Sequence, residues 1–196
     1  MILKILKIWD ERVTFPLRFT YLTKRLLPYL RESKKILDLG SSDGRLAHLL
    51  LQRLLSTEIL GIDVHIQEKT YIPITAYDGV HIPFPDNSFD TVMIVDTLHH
   101  DLHPESVLAE AKRVARKSIL IKDHYWNNWI DFLVLKIGDY IGNRPYGIRL
   151  PYNYLKMERW QKIFDDLHME VQTTEKFRFT MLDPCKQVIF LLKVTL

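Results

Sequence analysis

The chain has 196 residues, of which 47% are hydrophobic and 26% charged, and its formal net charge is +3. That length suits a single domain with a real core, and that composition excludes disordered, collagen-like and disulfide-stapled classes. The one cysteine, Cys185, allows no internal disulfide and points to a reducing, cytoplasmic setting, while the mildly basic charge permits nucleic acid or an anionic membrane without demanding either.

Residues 2–13 alternate apolar and charged positions at helical spacing, with Ile2, Ile5, Leu6, Trp9 and Val13 on one face and Lys4, Lys7 and Glu11 on the other. The lysines break any continuous apolar run, so neither a secretory signal nor a membrane span is expected here. A basic amphipathic helix of this kind either lies peripherally on a membrane or docks on the domain as a cap. Residues 17–31 form a second helical candidate, ended or kinked by Pro28.

Ile36, Leu37 and Leu39 then read as a short buried strand, Gly40 and Gly44 bracket a tight turn, and Leu46, Ala47, Leu49, Leu50 and Leu54 repeat at helical spacing. A strand feeding a helix through glycines puts free backbone N–H groups at the carboxyl edge of a sheet, where open α/β folds bind ligands. A second strand, Glu58–Asp63, ends in a carboxylate about 20 residues past the turn, a position suited to ribose hydroxyls. A third strand near 72–77 ends at Asp78-Gly79, and the proline-punctuated stretch Ile82–Asp90 reads as loop. Val92–Val95 is a continuous apolar strand, as burial on both faces requires, and opens into Asp96-Thr97-Leu98-His99-His100.

Pro104 suits the first turn of a helix striped by Val107, Leu108, Ala111, Val114 and Ala115, and Ser118–Lys122 forms a fifth strand ending at Asp123-His124. Trp160, Ile163, Phe164 and Leu167 mark another helix, and residues 170–178 and 187–194 a closing β-pair. The alternation implies an α/β fold with a doubly wound, mostly parallel sheet.

Asp38-x-Gly40-x-Ser42-x-Gly44 resembles the first motif of the class I S-adenosylmethionine-dependent methyltransferases, in their small-molecule (type 11-like) branch. Ser42 stands where that family usually has glycine, and it fits if its φ is negative. The dinucleotide fingerprint of nicotinamide enzymes needs a third glycine that is missing. The resemblance implies a Rossmann-like sheet of seven strands in the order 3-2-1-4-5-7-6, with strand 7 antiparallel. It implies S-adenosyl-L-methionine as cofactor, held by Asp38, Gly40, Ser41, Ser42, Gly44, Asp63, Asp78, Gly79 and Asp96, with Asp78 at the adenine amine. It covers residues 35–124 well and the closing pair in outline. The whole chain is then one domain: a cap (1–31), a cofactor core (32–124), an insertion (125–155) and a closing helix and β-pair (156–196).

Methyl transfer needs an aimed acceptor and sometimes a base. His99, His100 and His124, together with Asp96, stand where strands four and five open, and a near-neutral imidazole suits a hydroxyl proton. Histidines at 99, 100 and 103 with Asp96 and Asp101 also suggest metal ligation, but their spacing matches no established zinc pattern, so no metal is expected. Trp126, Trp129, Ile130, Leu133, Ile137, Tyr140 and Ile141 form an apolar stripe, followed by a turn-rich loop with Tyr146, Arg149, Tyr152 and Tyr154. In the resembled family such insertions form acceptor pockets, which makes Trp126, Tyr146, Arg149 and Tyr152 candidates for a small lipophilic acceptor. Alternatively, these aromatics pack the N-terminal helices onto the sheet. The expectation is a methyltransferase of small molecules, with an inactive scaffold or an RNA or protein methyltransferase as alternatives. No nucleic-acid module is visible.

Overall fold

The computed structural model describes residues 15–143, 150–181 and 183–194. The expected 2–13 helix, Tyr146 and Arg149 lie outside them. In chain order the elements are α1 (Phe15–Leu30), β1 (Lys35–Leu39), α2 (Arg45–Leu51), β2 (Glu58–Asp63), β3 (Ile74–Ala76), β4 (Phe89–Val95), a single 3-10 turn (Leu98–His100), α3 (Pro104–Val114), β5 (Ala115–His124), α4 (Trp129–Asn143), α5 (Met157–Asp166), β6 (Glu170–Phe177) and β7 (Gln187–Lys193).

The seven strands lie in the order β3-β2-β1-β4-β5-β7-β6, as the resemblance implied. β1 to β5 pair in parallel, and β7 runs antiparallel to both β5 and β6. Because side chains alternate along a strand, each central strand feeds two cores. Leu37, Leu39, Val92, Ile94, Ile119 and Ile121 point toward α3 and α5, where Leu108, Ala111, Trp160 and Phe164 meet them. Ile36, Met93, Leu120 and Ile189 point the other way, onto Leu22, Leu26 and Leu30 of α1 and Leu46, Ala47 and Leu50 of α2. Trp160, Phe164 and Phe190 interlock with ring centroids 5.0 to 5.9 Å apart.

Several boundaries differ from the sequence reading. Pro28 sits inside the last turn of α1 instead of ending it, and β3 is shorter than expected. β4 begins three residues earlier than its apolar run, because Phe89, Asp90 and Thr91 belong to the strand. Asp90 looks like a turn residue, yet it is buried and accepts the backbone N–H groups of Lys34 and Lys35 at 2.9 and 3.2 Å. Arg116 and Lys117 neutralise it from β5. β5 also begins early: α3 passes into it at Ala115 without a loop. Arg113 staples the proline-rich segment to α3 by donating to the carbonyls of Ile82 and Phe84 at 2.9 and 2.8 Å.

At the carboxyl edge, Gly40 has φ 77° and no room for a side chain. A Cβ there would lie 2.3 Å from Thr97 Oγ1, in the segment that leaves β4. Gly40→Ala is therefore expected to destabilise the fold by about 2–4 kcal/mol, through left-handed strain and overpacking together. Urea unfolding checks this, with Thr97→Gly in the same chain restoring part of the loss.

Candidate active site

The turn after β1 is built from backbone. Gly40 and Ser41 donate their N–H groups to the Ile62 carbonyl at 2.9 and 3.1 Å, and Gly44 donates to the Ser41 carbonyl at 2.8 Å. Ser42 has φ 54°, not the negative value expected of it. Its N–H is turned to Asp63 Oδ2 at 2.8 Å, while Asp63 Oδ1 accepts the His65 N–H at 3.0 Å. Asp63 thus clasps the glycine turn to the tip of β2, and the left-handed serine costs on the order of 1–2 kcal/mol. Asp38 is buried beneath the turn and accepts the Ser41 hydroxyl at 2.6 Å. Burial pushes its carboxyl up to about 7, against the Ser41 hydrogen bond and helped by Asp63.

Asp78 folds back on its own loop, accepting the N–H groups of Val80 and His81, both at 2.7 Å, beside Gly79 at φ 83°. Those hydrogen bonds, with the His81 ring, hold it down at about 2. Between these tips stands Tyr77, whose phenol is pushed up to about 12 by burial and by the carboxylates of Asp63, Asp101 and Asp78. Three carboxylates thus act on one phenol at this edge of the sheet.

The next group along the edge is charge-balanced. Asp96, at φ 52° on the tip of β4, is ion-paired to both Arg18 of α1 and the fully buried Lys122 of β5. Burial raises its carboxyl, but the two cations outweigh that and hold it far below the usual range. Asp96, expected among the cofactor ligands, is held by these cations at the carboxyl edge of the sheet.

The three candidate histidines come together around one dyad. His99 Nδ1 is 2.6 Å from Asp123 Oδ1, both side chains being buried. His99 Nε2 faces Asp139 of α4 at 3.9 Å, and its ring packs on His100, His124 and Tyr154 with centroids 4.1, 5.1 and 5.3 Å away. The Tyr154 hydroxyl donates to Asp139 at 2.7 Å. Burial opposes charge on His99, but the Asp123 carboxylate and its hydrogen bond prevail and raise the imidazole. His124 goes the other way: burial and the neighbouring Lys122 lower it, and its Nδ1, 3.4 Å from Asp123 and 3.5 Å from Asp96, makes no hydrogen bond.

Two trios of metal-capable groups converge here, His99 with Asp123 and His124, and His99 with His100 and Asp139, each with donor atoms within 4.8 Å of one another. His99 is common to both. Its Nδ1 is engaged by Asp123 at 2.6 Å, which leaves Nε2 on the side of Asp139.

Trp126 and Tyr152 serve as walls. The Trp126 indole donates to the Tyr154 carbonyl at 2.8 Å and lies under Lys156, and Tyr152 lies under Lys136. Asn153 ties this wall to the 3-10 turn through the carbonyls of His99 and Asp101. The sequence reading assigned no role to Arg18, Lys122, Asp123 or Asp139. Charged residues closing an apolar strand flag Lys122 and Asp123, whereas Asp139 is one of two acids in an apolar helix whose facing the sequence does not reveal. Nothing local flags Arg18. Cys185 is a half-buried filler whose thiol burial pushes up to about 11.

Histidine NMR titration is expected to find His99 charged beyond the ordinary imidazole range and His124 neutral below it. In Asp123→Asn the largest influence raising His99 is removed, leaving burial opposed only by Asp96 and Asp139, and its midpoint should fall. A His99 midpoint unmoved by that substitution contradicts the dyad.

Residues 37–120 match the sequence model of a family described as "Methyltransferase domain". A ubiquinone/menaquinone biosynthesis C-methyltransferase of Cupriavidus metallidurans is 27% identical, over 64% of this chain and 60% of that protein. The 27-O-demethylrifamycin SV methyltransferase of Amycolatopsis mediterranei is 29% identical, over 55% of this chain and 44% of that protein. The chain thus spans less than two thirds of the length of either relative. A S-adenosylmethionine-dependent methyltransferase structure from Aquifex aeolicus superimposes with a TM-score of 0.66 at 16% identity, covering 98% of both chains. Matched segment and relatives thus make residues 37–120 similar to a methyltransferase domain, and the seven-stranded sheet is the fold shared with that S-adenosylmethionine-dependent methyltransferase structure.

Proposed function

We propose that this protein transfers a methyl group from S-adenosylmethionine to a small, lipophilic acceptor. The observation that carries the cofactor assignment is the carboxyl edge of the sheet, where the Gly40–Gly44 turn after β1 is clasped to Asp63 at the tip of β2. Carboxylates at Asp63 and Asp78 suit a nucleoside bearing a sulfonium cation. Asp63 would hold the ribose hydroxyls and Asp78 with Gly79 the adenine edge. When bound, the cofactor supplies an activated methyl group, so the protein's tasks are to orient the acceptor, exclude water and place a proton.

His124 is the group we assign to the proton. A base must be neutral before it acts, and burial together with Lys122 keeps this imidazole neutral. Its Nε2 would take a proton from an acceptor hydroxyl or enol, while the buried Nδ1 keeps the other side of the resulting imidazolium facing Asp123 and Asp96 at 3.4 and 3.5 Å. His99, sealed by Asp123, Asp139 and Tyr154, is a positioning residue that fixes the wall behind His124. The insertion supplies the acceptor side: Trp126, Phe132 and Tyr154 form an aromatic corner with centroids 5.4 and 5.9 Å apart. Both curated relatives bear the names of methyltransferases in quinone and rifamycin chemistry, which supports an apolar acceptor.

Calorimetric titration with S-adenosylmethionine and S-adenosylhomocysteine, with NAD as control, tests the cofactor. Saturable binding of the sulfur nucleotides alone is expected, and no binding would favour an inactive scaffold. Asp63→Ala is expected to weaken S-adenosylmethionine about 10–100-fold through lost charged hydrogen bonds. Unchanged affinity removes Asp63 from the site. In an acceptor screen, His124→Gln is expected to lower kcat by about 100-fold or more without changing cofactor affinity. A variant as fast as the parent would discard His124 as the base.

A further inference from the structure

α4 turns Leu135, Phe132 and its two carboxylates toward the protein and leaves an apolar stripe facing out. Trp129, Ile130, Leu133, Ile137, Tyr140 and Ile141 are each between 45% and 71% exposed. On a helical wheel they fall within an arc of about 120°, and they run about 18 Å along the axis. An unbroken apolar stripe of this kind on a water-facing helix marks a docking surface.

The charges around it indicate what docks. The only two carboxylates of α4 turn away from the stripe: Asp131 is paired with Lys186 at 2.6 Å, and Asp139 accepts the Tyr154 hydroxyl. The exposed charges beside the stripe are basic, Lys136 on α4 and Lys156 beyond it, each seated over an aromatic ring. Trp129 and Tyr140 stand near opposite ends, the side chains favoured at the boundary between headgroups and acyl chains. No helix among the described residues is long and apolar enough to cross a membrane.

We infer that α4 lies in the plane of an anionic lipid surface, its outer face in the acyl boundary and its lysines among the headgroups. This is an in-plane contact, in which apolar burial and attraction to anionic lipid add. The inner side of the same helix carries Leu135 and Asp139 to the histidine cluster, so the docked face adjoins the acceptor wall. The inference stands on the exposed stripe and its charges, independently of the proposed methyl transfer.

Flotation of the full chain with vesicles of mixed phosphatidylglycerol and phosphatidylcholine tests it, beside vesicles of phosphatidylcholine alone. The double substitution Ile130→Glu with Ile137→Glu changes two half-exposed positions, so circular dichroism and S-adenosylmethionine affinity should match the parent. Binding to the anionic vesicles is expected to fall roughly tenfold or more in that variant, and binding of the parent to weaken at high salt. Equal flotation of parent and variant, or no flotation of either, overturns the inference. So does a parent dimer that the same substitutions dissociate, which assigns the face to a second copy. Because flotation reads no turnover, loss of this contact and loss of the methyltransferase reading are separable.

Discussion

Lys122 brings an ammonium group into the interior at the carboxyl edge of the sheet, fully buried, and the surrounding elements are arranged to balance it. An unpaired charge there would cost several kcal/mol, so its partner has to be held in place. Asp96 is that partner, at the end of the adjacent strand, and Arg18 reaches it from a helix 78 residues earlier in the chain. The Phe179 ring lies 5.3 Å from the ammonium on another side. One buried charge thus joins β4, β5, the start of α1 and the segment after β6. Helix α1 is consequently a structural part of the cleft, with its Leu22, Leu26 and Leu30 stripe anchoring the other end.

The edge divides into regions of different electrostatic character. Around Tyr77 the carboxylates of Asp63, Asp78 and Asp101 act on one phenol. Around Lys122 and His99 every carboxylate has a cationic partner, so this wall is neutral overall but stiff. Neighbouring histidines are driven in opposite directions by the same surroundings: His99 lies against Asp123, and His124 beside Lys122. Tuning two titratable groups apart in this way is how one pocket provides both a fixed ion pair and a neutral imidazole.

Much of the frame was legible before any coordinates because it rests on local signals. Apolar runs marked β1, β2, β4 and β5, and Gly40 and Gly44 marked the turn. The strand order came from family resemblance, since no local pattern encodes which strands neighbour one another. What was missed depends on distant partners. Asp90 reads as a loop acid until Arg116 and two backbone N–H groups reach it, and the cations that hold Asp96 come from α1 and β5. Asp139 was submerged in an apolar stripe whose facing could not be known. Ser42 was expected to avoid left-handed geometry, but its hydrogen bond to Asp63 offsets the cost. The His99–Asp123 dyad joins residues that the sequence shows only as the ends of two strands.

The loopless junction at Ala115 determines where this architecture can vary. α3 and β5 share no slack, and β5 is the strand that carries Lys122, Asp123 and His124 to the edge. Adding one residue at the junction would exchange the two faces of β5, sending Ile119 and Ile121 to the α1 side and Leu120 to the α3 side. The same shift would turn Lys122 and Asp123 away from their partners. Length changes in related chains should therefore be rare at this join and accumulate beyond His124, where the chain is free to acquire new acceptor walls while the strand that aims the chemistry keeps its count.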